Sequence, residues 1–297
     1  MSSSAIALIV VLIVLMFIGL PIIWALGGAC IVAIFLDPTL SVSMITQKIF
    51  TGCDNFSMLA LPAFFLAGDI MSKGGLSKRL VAFADSFVGW ISGGISLVSI
   101  VACTFFASIS GSSVATTAAI GGLMYPEMVK RGYPKDYSAA VQAIGGTFGI
   151  VIPPSTVFVI YGNITGVSVA KLLMAGVLPG IICGVLLCIY AYYKAKKCNF
   201  PKEAGFSFKR FLVSFKDAIW ALIMPIVILG GIYAGIFTPT ESAVVAVFYG
   251  FLVCMAIYRE ISGKDVWEII KSTAVNNCKS YVFSCYSSDV WIFNNVL

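Results

Sequence analysis

Ser108-Ile109-Ser110-Gly111-Ser112-Ser113 is a mostly small, polar run set inside a long apolar segment. Apolar stretches flank it, Ile91 to Phe106 before it and Val114 to Met124 after it. As helices, these legs are each roughly 18 to 25 Å long, shorter than the ~30 Å hydrocarbon core of a bilayer. Two short legs joined by a tight tip predict a re-entrant helical hairpin at about 91–125. Irregular backbone at membrane depth needs protein or water around it, so the tip indicates a place where something polar is held.

The composition predicts an all-α polytopic membrane protein. Of the 297 residues, 60% are hydrophobic and 11% are charged, which is more apolar than a soluble domain of this size requires. The net charge of +6 is spread over short loops, and the positive-inside rule explains it better than a nucleic-acid surface does. The nine cysteines form no CxxC pair and histidine is absent, which argues against a transition-metal centre and a disulfide framework.

The N-terminal region contains a broken apolar segment. Ala5 to Leu36 is interrupted at Gly19-Leu20-Pro21 and is either one long broken helix or two short helices. Asp37 to Asn55 is more amphipathic and is predicted to lie at an interface. Ser57 to Met71 is apolar and is predicted to cross the membrane.

Basic residues flank the hairpin on both sides. Lys73, Lys78 and Arg79 precede it, and Lys130, Arg131 and Lys135 follow it. If both clusters are cytoplasmic, the hairpin turns back without a net crossing. The alternative is two very short full crossings, accommodated by tilt or by local thinning of the bilayer.

The residues of the tip favour ion binding. Carbonyls at the end of one half-helix and serine or threonine hydroxyls suit a small cation, while the N-terminus of the opposite helix suits a carboxylate. The alternative is close helix packing, with the hydroxyls bonded to their own backbone. With no histidine and few intramembrane acids, a proton relay is hard to build, so sodium is the expected coupling ion. Asp69 is expected to turn toward Lys73.

A second break lies between Gly145 and Thr156 and contains Pro153-Pro154. The two prolines remove N–H donors and free carbonyls one turn earlier, where a cation can satisfy them. The alternative is an ordinary proline kink satisfied by neighbouring helices and water. Thr238-Pro239-Thr240-Glu241 is predicted to be a capped helix start, or alternatively a polar point in a binding cleft.

Three motifs in order resemble one transporter family. They are residues 110–121, SGSSVATTAAIG, residues 152–155, IPPS, and residues 238–243, TPTESA. This set resembles the large membrane subunit of tripartite ATP-independent periplasmic (TRAP) transporters, the DctM-like family, over roughly Ala5 to Val275. The resemblance implies a multi-pass protein of the bacterial inner membrane that imports organic anions, such as C4-dicarboxylates or sialic acid, with sodium and no organic cofactor. It also implies two partners, a small four-helix membrane subunit and a periplasmic substrate-binding protein.

The resemblance also implies roles for individual residues. The implied sodium ligands are Ser108, Ser110, Ser112, Gly145, Gly149, Ile152 and Pro154. The implied substrate contacts are Ser113, Thr116, Ser155, Thr156 and Thr240.

The implied architecture is an elevator-type ion-transporter fold in which a transport domain moves against a scaffold. Its expected parts are N-terminal scaffold helices (1–72), half of a transport domain (73–193) with the hairpin and a broken helix (about 137–167), a basic cytoplasmic loop and amphipathic segment (194–217), the start of a second repeat (218–275) and an atypical tail (276–297). Family members continue into a second hairpin and a second broken helix, so the inverted repeat is expected to be only partly present, as a truncation or a frameshift would produce.

Two other functions remain open from the sequence. Re-entrant hairpins with polar tips also build selectivity filters, so a channel-like pore protein is one alternative. An inactive fragment of the transporter is the other. We expect no enzyme, because the tip serines have no histidine base and no paired acids.

Overall fold

The computed structural model describes residues 3–36, 43, 47, 50, 51, 54–198, 200 and 205–296, with side chains described for 6–278 and 280 of these. Every regular element in these ranges is helical, which confirms the predicted all-α class. The elements are Ser3–Phe17, Ile22–Leu36, Phe56–Leu59 (a 3-10 turn), Ala60–Lys73, Leu76–Val88, Gly94–Ser110, Ser113–Thr116, Thr117–Gly121 (a π turn), Gly122–Lys130, Lys135–Val151, Thr156–Thr165, Val169–Lys197, Phe208–Tyr233, Pro239–Phe251, Leu252–Ile257 (a π turn) and Gly263–Val296. Most of the predicted interfacial segment at 37–55 lies outside the described residues.

Four helices in the described part are long and apolar enough to cross a membrane, and a bent pair makes a fifth candidate. The four are Phe56–Lys73, Val169–Lys197, Phe208–Tyr233 and Pro239–Ile257. The bent pair is Lys135–Val151 with Thr156–Thr165. The chain is therefore polytopic, whereas the elevator architecture and the predicted domain division stay predictions.

The N-terminal segment consists of two short helices rather than one long one. Ser3–Phe17 ends before Gly19, whose φ of +87° lies in the left-handed region that favours glycine. Ile22–Leu36 then packs back against the first helix, with Leu8 buried in the same cluster as Ala29.

The first leg of the hairpin, Gly94–Ser110, lies in the middle of the main core. All its residues are buried except Val101, Thr104, Phe105 and Ser108. It contacts five other long helices, Ala60–Lys73, Leu76–Val88, Lys135–Val151, Val169–Lys197 and Phe208–Tyr233. The protein thus surrounds the leg and carries the polar tip at its end into a buried position, as irregular backbone at membrane depth requires.

The second leg runs from Ser113 to Lys130, five residues beyond the predicted end at 125. A π turn at Thr117–Gly121 interrupts it one turn from the tip. Such turns occur often at functional sites. The following helix is broken between Val151 and Thr156, and its two halves are bent by 44°. A helical hairpin and a broken helix are therefore both present, whereas the re-entrant path of the hairpin stays a prediction.

The helices after the basic loop form a second pair. Phe208–Tyr233 and Pro239–Phe251 pack together, and a reciprocal cap begins the second of them. In this cap the Thr238 hydroxyl accepts the Glu241 N–H, and the Glu241 carboxylate accepts the Thr238 N–H. The capped start predicted at Thr238 is therefore confirmed. The predicted tail continues the helix Gly263–Val296, whose backbone is described to Val296.

Candidate functional site

The hairpin tip is closed by its own polar groups. Gly111 has a φ of +61° and ends the first leg, and its N–H donates to the Ala107 carbonyl. The Ser112 hydroxyl then caps the second leg by accepting the Ala115 N–H at 3.4 Å. The tip therefore joins a helix C-terminus directly to a helix N-terminus.

The hydroxyls of Ser110 and Thr116 meet across the tip. Their oxygens lie 3.0 Å apart, and both side chains are buried. The Thr116 hydroxyl also donates to the Ser112 carbonyl at 2.8 Å. Hydroxyl and carbonyl oxygens of Ser110, Ser112 and Thr116 are thus concentrated at the tip around Gly111.

The break in the following helix lies against this tip. Thr156 donates its N–H and its hydroxyl to the Gly111 carbonyl, at 3.3 and 3.1 Å. A Cβ added to Gly111 would overlap the Pro154 carbonyl oxygen. The tip and the break therefore meet, and both lie inside the protein.

Glycines bring the backbone of Lys135–Val151 onto the tip. A Cβ added to Gly149 would overlap the Ser112 backbone and lie 2.6 Å from the Ser113 nitrogen. A Cβ added to Gly146 would overlap the Thr117 hydroxyl. Gly145 is packed less tightly, because its Cβ would lie 3.0 Å from the Cys103 sulphur. Gly149 and Gly146 are therefore required by close approach to the tip.

The two prolines of the break leave carbonyls beside the tip without their usual hydrogen-bond donors. Pro153 has no N–H, so it cannot donate to the carbonyl of Gly149, its partner in a regular helix. The Ile150 carbonyl has lost its donor to Pro154 in the same way, and it accepts the Ser155 hydroxyl at 2.8 Å instead. The Gly149 carbonyl therefore lacks the donor that it would have in a regular helix.

The structure brings most of the predicted site residues together. Ser110, Ser112, Ser113 and Thr116 lie at the tip, while Gly149, Ile152, Pro154, Ser155 and Thr156 lie in the break against it. Ser108 lies one turn before the tip, and its hydroxyl donates to the Phe105 carbonyl of its own helix at 2.7 Å. At Ser108 the structure thus shows the packing alternative, in which the hydroxyl bonds its own backbone.

Thr240 lies in a different place from the other predicted residues. Its hydroxyl donates to the Phe56 carbonyl at 3.2 Å. It lines a cleft of about 640 Å³ together with Phe56, Leu59, Ile236, Phe237, Glu241, Val244 and Val245. The turn Phe56–Leu59 contacts both the helix of Thr240 and the helix Thr156–Thr165, so it links this cleft to the broken helix.

Two contacts were not predicted from the sequence. A Cβ added to Gly68 would lie 3.1 Å from the Ser110 carbonyl oxygen, so the helix Ala60–Lys73 lies directly on the tip. Asp69, expected to turn toward Lys73, instead accepts the Thr273 hydroxyl at 2.6 Å. A glycine within an apolar helix was the one hint of the first contact.

The atoms that could coordinate an ion at the tip and the break are uncharged oxygens. Among the described residues, no group of three or more His, Cys, Asp or Glu side chains could hold a metal ion. Hydroxyl and carbonyl oxygens are hard ligands that suit alkali and alkaline-earth cations rather than zinc or copper. The two C-terminal helix ends beside them, at Ser110 and Val151, also favour a positive charge.

Residues 9–283 match the family described as "Tripartite ATP-independent periplasmic transporter, DctM component". The chain belongs to this family. The matched range contains the whole hairpin, the broken helix and the capped start at Thr238. Members of the DctM family are integral proteins of the inner membrane, which agrees with the apolar spans of this chain.

Three curated relatives show the range of this family. The chain is 42% identical over 259 residues to the C4-dicarboxylate TRAP transporter large permease protein DctM of Vibrio cholerae, covering 86% of this chain and 57% of the relative. It is 40% identical to the 2,3-diketo-L-gulonate TRAP transporter large permease protein YiaN of Escherichia coli, covering 86% of this chain and 60% of the relative. It is 35% identical to the sialic acid TRAP transporter permease protein SiaT of Haemophilus influenzae, covering 90% of this chain and 43% of the relative. This DctM-family chain thus spans about half the length of these relatives.

Proposed function

We propose that this DctM-family chain acts in the large membrane subunit of a sodium-coupled tripartite importer of organic anions. The single observation that supports this most directly is the double hydrogen bond from Thr156 to the Gly111 carbonyl. It joins two breaks in apolar helices, and the second break leaves the Gly149 carbonyl without its helical donor. A hard monovalent cation is the ligand that such neutral oxygens fit.

In the proposed site, the cation lies between the C-terminal ends of the first leg and of Lys135–Val151. Ser110 and Ser112 offer hydroxyl and carbonyl oxygens, and Gly149 offers the carbonyl that lacks its helical donor. Each C-terminal end contributes the equivalent of about half a negative charge. The electric field of these two helix ends stabilises a cation without the help of a carboxylate.

The substrate carboxylate is proposed to lie at the opposite helix ends. The second leg begins at Ser113 and the second half of the broken helix begins at Thr156, so both N-termini lie beside the tip. N–H groups and the positive ends of helix dipoles favour an anion. A bound sodium a few ångströms away strengthens the attraction, which couples the two ligands. The cleft at Thr240 is proposed as a more distant substrate contact.

Sodium coupling would provide the energy for uptake. One net positive charge moving down ~100 mV releases about 2.3 kcal/mol, equivalent to about a fiftyfold concentration ratio. Two sodium ions with a monoanion, or three with a dianion, carry one net positive charge and would therefore accumulate substrate without ATP. We propose that the hairpin and the broken helix move together, elevator-fashion, and that a small four-helix membrane subunit and a periplasmic binding protein complete the transporter.

The test is uptake into proteoliposomes that contain this chain with the small membrane subunit and the binding protein. Radiolabelled C4-dicarboxylate and sialic acid serve as probes, and an inward sodium gradient is compared with an equal potassium gradient. We expect uptake of one probe class with sodium alone. Ser110→Ala should reduce it, while Ser86→Ala, which removes a buried hydroxyl bonded to the Phe83 carbonyl, should not. Equal uptake in potassium would contradict sodium coupling.

A further inference from the structure

Three buried hydroxyls lie together at the base of the hairpin, at the end opposite the tip. They belong to Ser96 in the first turn of the first leg, to Tyr133 in the connection between the hairpin and the broken helix, and to Tyr137 in the first turn of that helix. Ser96 is fully buried and Tyr133 is 3% exposed. None of the three oxygens has a hydrogen-bond partner among the described residues. An unpaired buried hydroxyl loses its hydrogen bonds to water without replacement, so each of the three requires an explanation.

The three hydroxyls share one spot at the base of the hairpin. The Ser96 side chain interacts with both phenols, although neither pair has the geometry of a hydrogen bond. The two tyrosine rings are stacked, with centroids 6.2 Å apart. Phe200 covers them, with its ring centroid 4.3 Å from that of Tyr133 and 5.3 Å from that of Tyr137. No two of the three hydroxyls form a hydrogen bond with each other, and the Phe200 ring packs against both tyrosine rings.

A neutral ligand with both donors and acceptors fits this spot. Each hydroxyl can donate one hydrogen bond and accept others. The charged group that acts on Tyr133 is the Arg131 guanidinium, which disfavours a cation. Glu127 already pairs with that guanidinium at 2.7 Å. A buried water typically makes about three hydrogen bonds to groups that are otherwise unsatisfied, which is the number of oxygens present.

We propose that Ser96, Tyr133 and Tyr137 hold one buried water molecule that fastens the base of the hairpin to the start of the broken helix. One helical turn closer to the tip, the Ser99 hydroxyl donates to the Gln142 side-chain oxygen at 2.9 Å. This bond joins the first leg of the hairpin directly to the first half of the broken helix. At the other end, the tip and the break are joined through Thr156 and Gly111. The hairpin and the broken helix are thus linked by polar contacts at both ends and form one rigid body. This inference rests on packing alone and is independent of the sodium proposal.

The test is X-ray hydroxyl-radical footprinting of the purified full chain, read by mass spectrometry after mixing with H₂¹⁸O. Radicals formed from a bound water label the side chains that hold it, even where these are buried. We expect Tyr133 to be labelled several-fold more than Phe106, which is fully buried among apolar groups. Incorporation of ¹⁸O at Tyr133 should be slower than at Tyr161, which is 54% exposed. Labelling of Tyr133 no higher than that of Phe106, or exchange as fast as at Tyr161, would overturn the proposal.

One triple variant and one control variant test the same site by removing hydroxyls. The triple variant Ser96→Ala, Tyr133→Phe and Tyr137→Phe removes all three oxygens, so labelling at 133 and 137 should fall several-fold while the chain stays folded. Ser242→Ala is the control, because it also removes a fully buried hydroxyl, but one that donates to the Ile228 carbonyl at 3.0 Å. Unchanged labelling in the triple variant would refute the water site.

Discussion

Thr156 donates two hydrogen bonds to one acceptor, the carbonyl oxygen of Gly111, through its N–H and its hydroxyl. The acceptor ends the first hairpin leg, and the donor begins the second half of the broken helix. The two breaks therefore depend on each other. Displacing either one leaves a buried carbonyl or a helix N-terminus without its partner.

Replacing Thr156 with valine should weaken sodium binding by about fivefold. The side chain keeps its shape but loses one of the two bonds to Gly111, which costs about 1 kcal/mol. The measurement is the sodium concentration that gives half of the maximal rise in thermal unfolding midpoint. Thr165→Val is the control, since its exposed hydroxyl donates only to the Tyr161 carbonyl. Equal half-maximal sodium concentrations for the two variants would contradict the prediction.

Replacing Gly149 with alanine should separate the tip from the break. The new methyl group would overlap the Ser112 backbone, which cannot move without displacing the hairpin tip. We expect the unfolding midpoint to fall by several degrees and sodium no longer to raise it. Gly122→Ala is the matched control, because it lies in the same hairpin with open space around it. If sodium raised the unfolding midpoint of Gly149→Ala as much as that of the wild type, the close contact between Gly149 and the Ser112 backbone would not be needed for sodium binding.

Removing the Thr273 hydroxyl should destabilise the contact between the helix Gly263–Val296 and the helix Ala60–Lys73. Thr273→Val leaves the half-buried carboxylate of Asp69 without its hydroxyl donor, at a cost of about 1–3 kcal/mol. In a double-mutant cycle, Asp69→Asn should lose little further stability once Thr273 has been replaced. Ser272→Ala, which removes a hydroxyl bonded within its own helix, should have little effect. Additive losses would show that the two side chains act independently.

The cap at Asp265 should make part of the stability depend on pH. The hydroxyl and N–H of Ser262 donate to this carboxylate and lower its pKa. A lowered pKa means that the stabilisation is fully present above about pH 4 and is lost as the pH falls through the lowered value. Unfolding midpoints measured from about pH 6 to about pH 3 should therefore decline less in Asp265→Asn than in the wild type.

The control for this prediction is Glu268→Gln, which removes the same charge from an exposed position on the same helix. Its pH dependence should follow that of the wild type over the same range. Identical curves for Asp265→Asn and Glu268→Gln would mean that net charge, and not the cap, sets the acid sensitivity.

The parts of the site that the sequence predicts have local chemical signatures. The tip has six mostly polar residues between two apolar legs, and the break has two adjacent prolines, so both are readable without knowledge of the fold. The reciprocal cap at Thr238 and Glu241 is readable for the same reason, because its partners are three residues apart. These breaks and helix starts can be located from the sequence because the backbone cannot form a regular helix through them.

The remaining contacts are long-range and leave no such pattern. Asp69 and Thr273 are 204 positions apart, and neither residue type specifies the other. Gly68 reads as an ordinary small residue, and its contact with Ser110 depends on how two helices cross. The direction of the Ser108 hydroxyl depends on which face of its helix meets the core, which the run of serines alone does not determine.

Direct binding of radioactive sodium to the purified chain in lipid nanodiscs tests the central claim, that the tip and the break together hold a sodium ion. We expect saturable binding that unlabelled sodium displaces and potassium does not. Gly149→Ala should abolish this binding, and Gly122→Ala should retain it. Displacement by potassium as effective as by sodium, or undiminished binding in Gly149→Ala, would contradict the account.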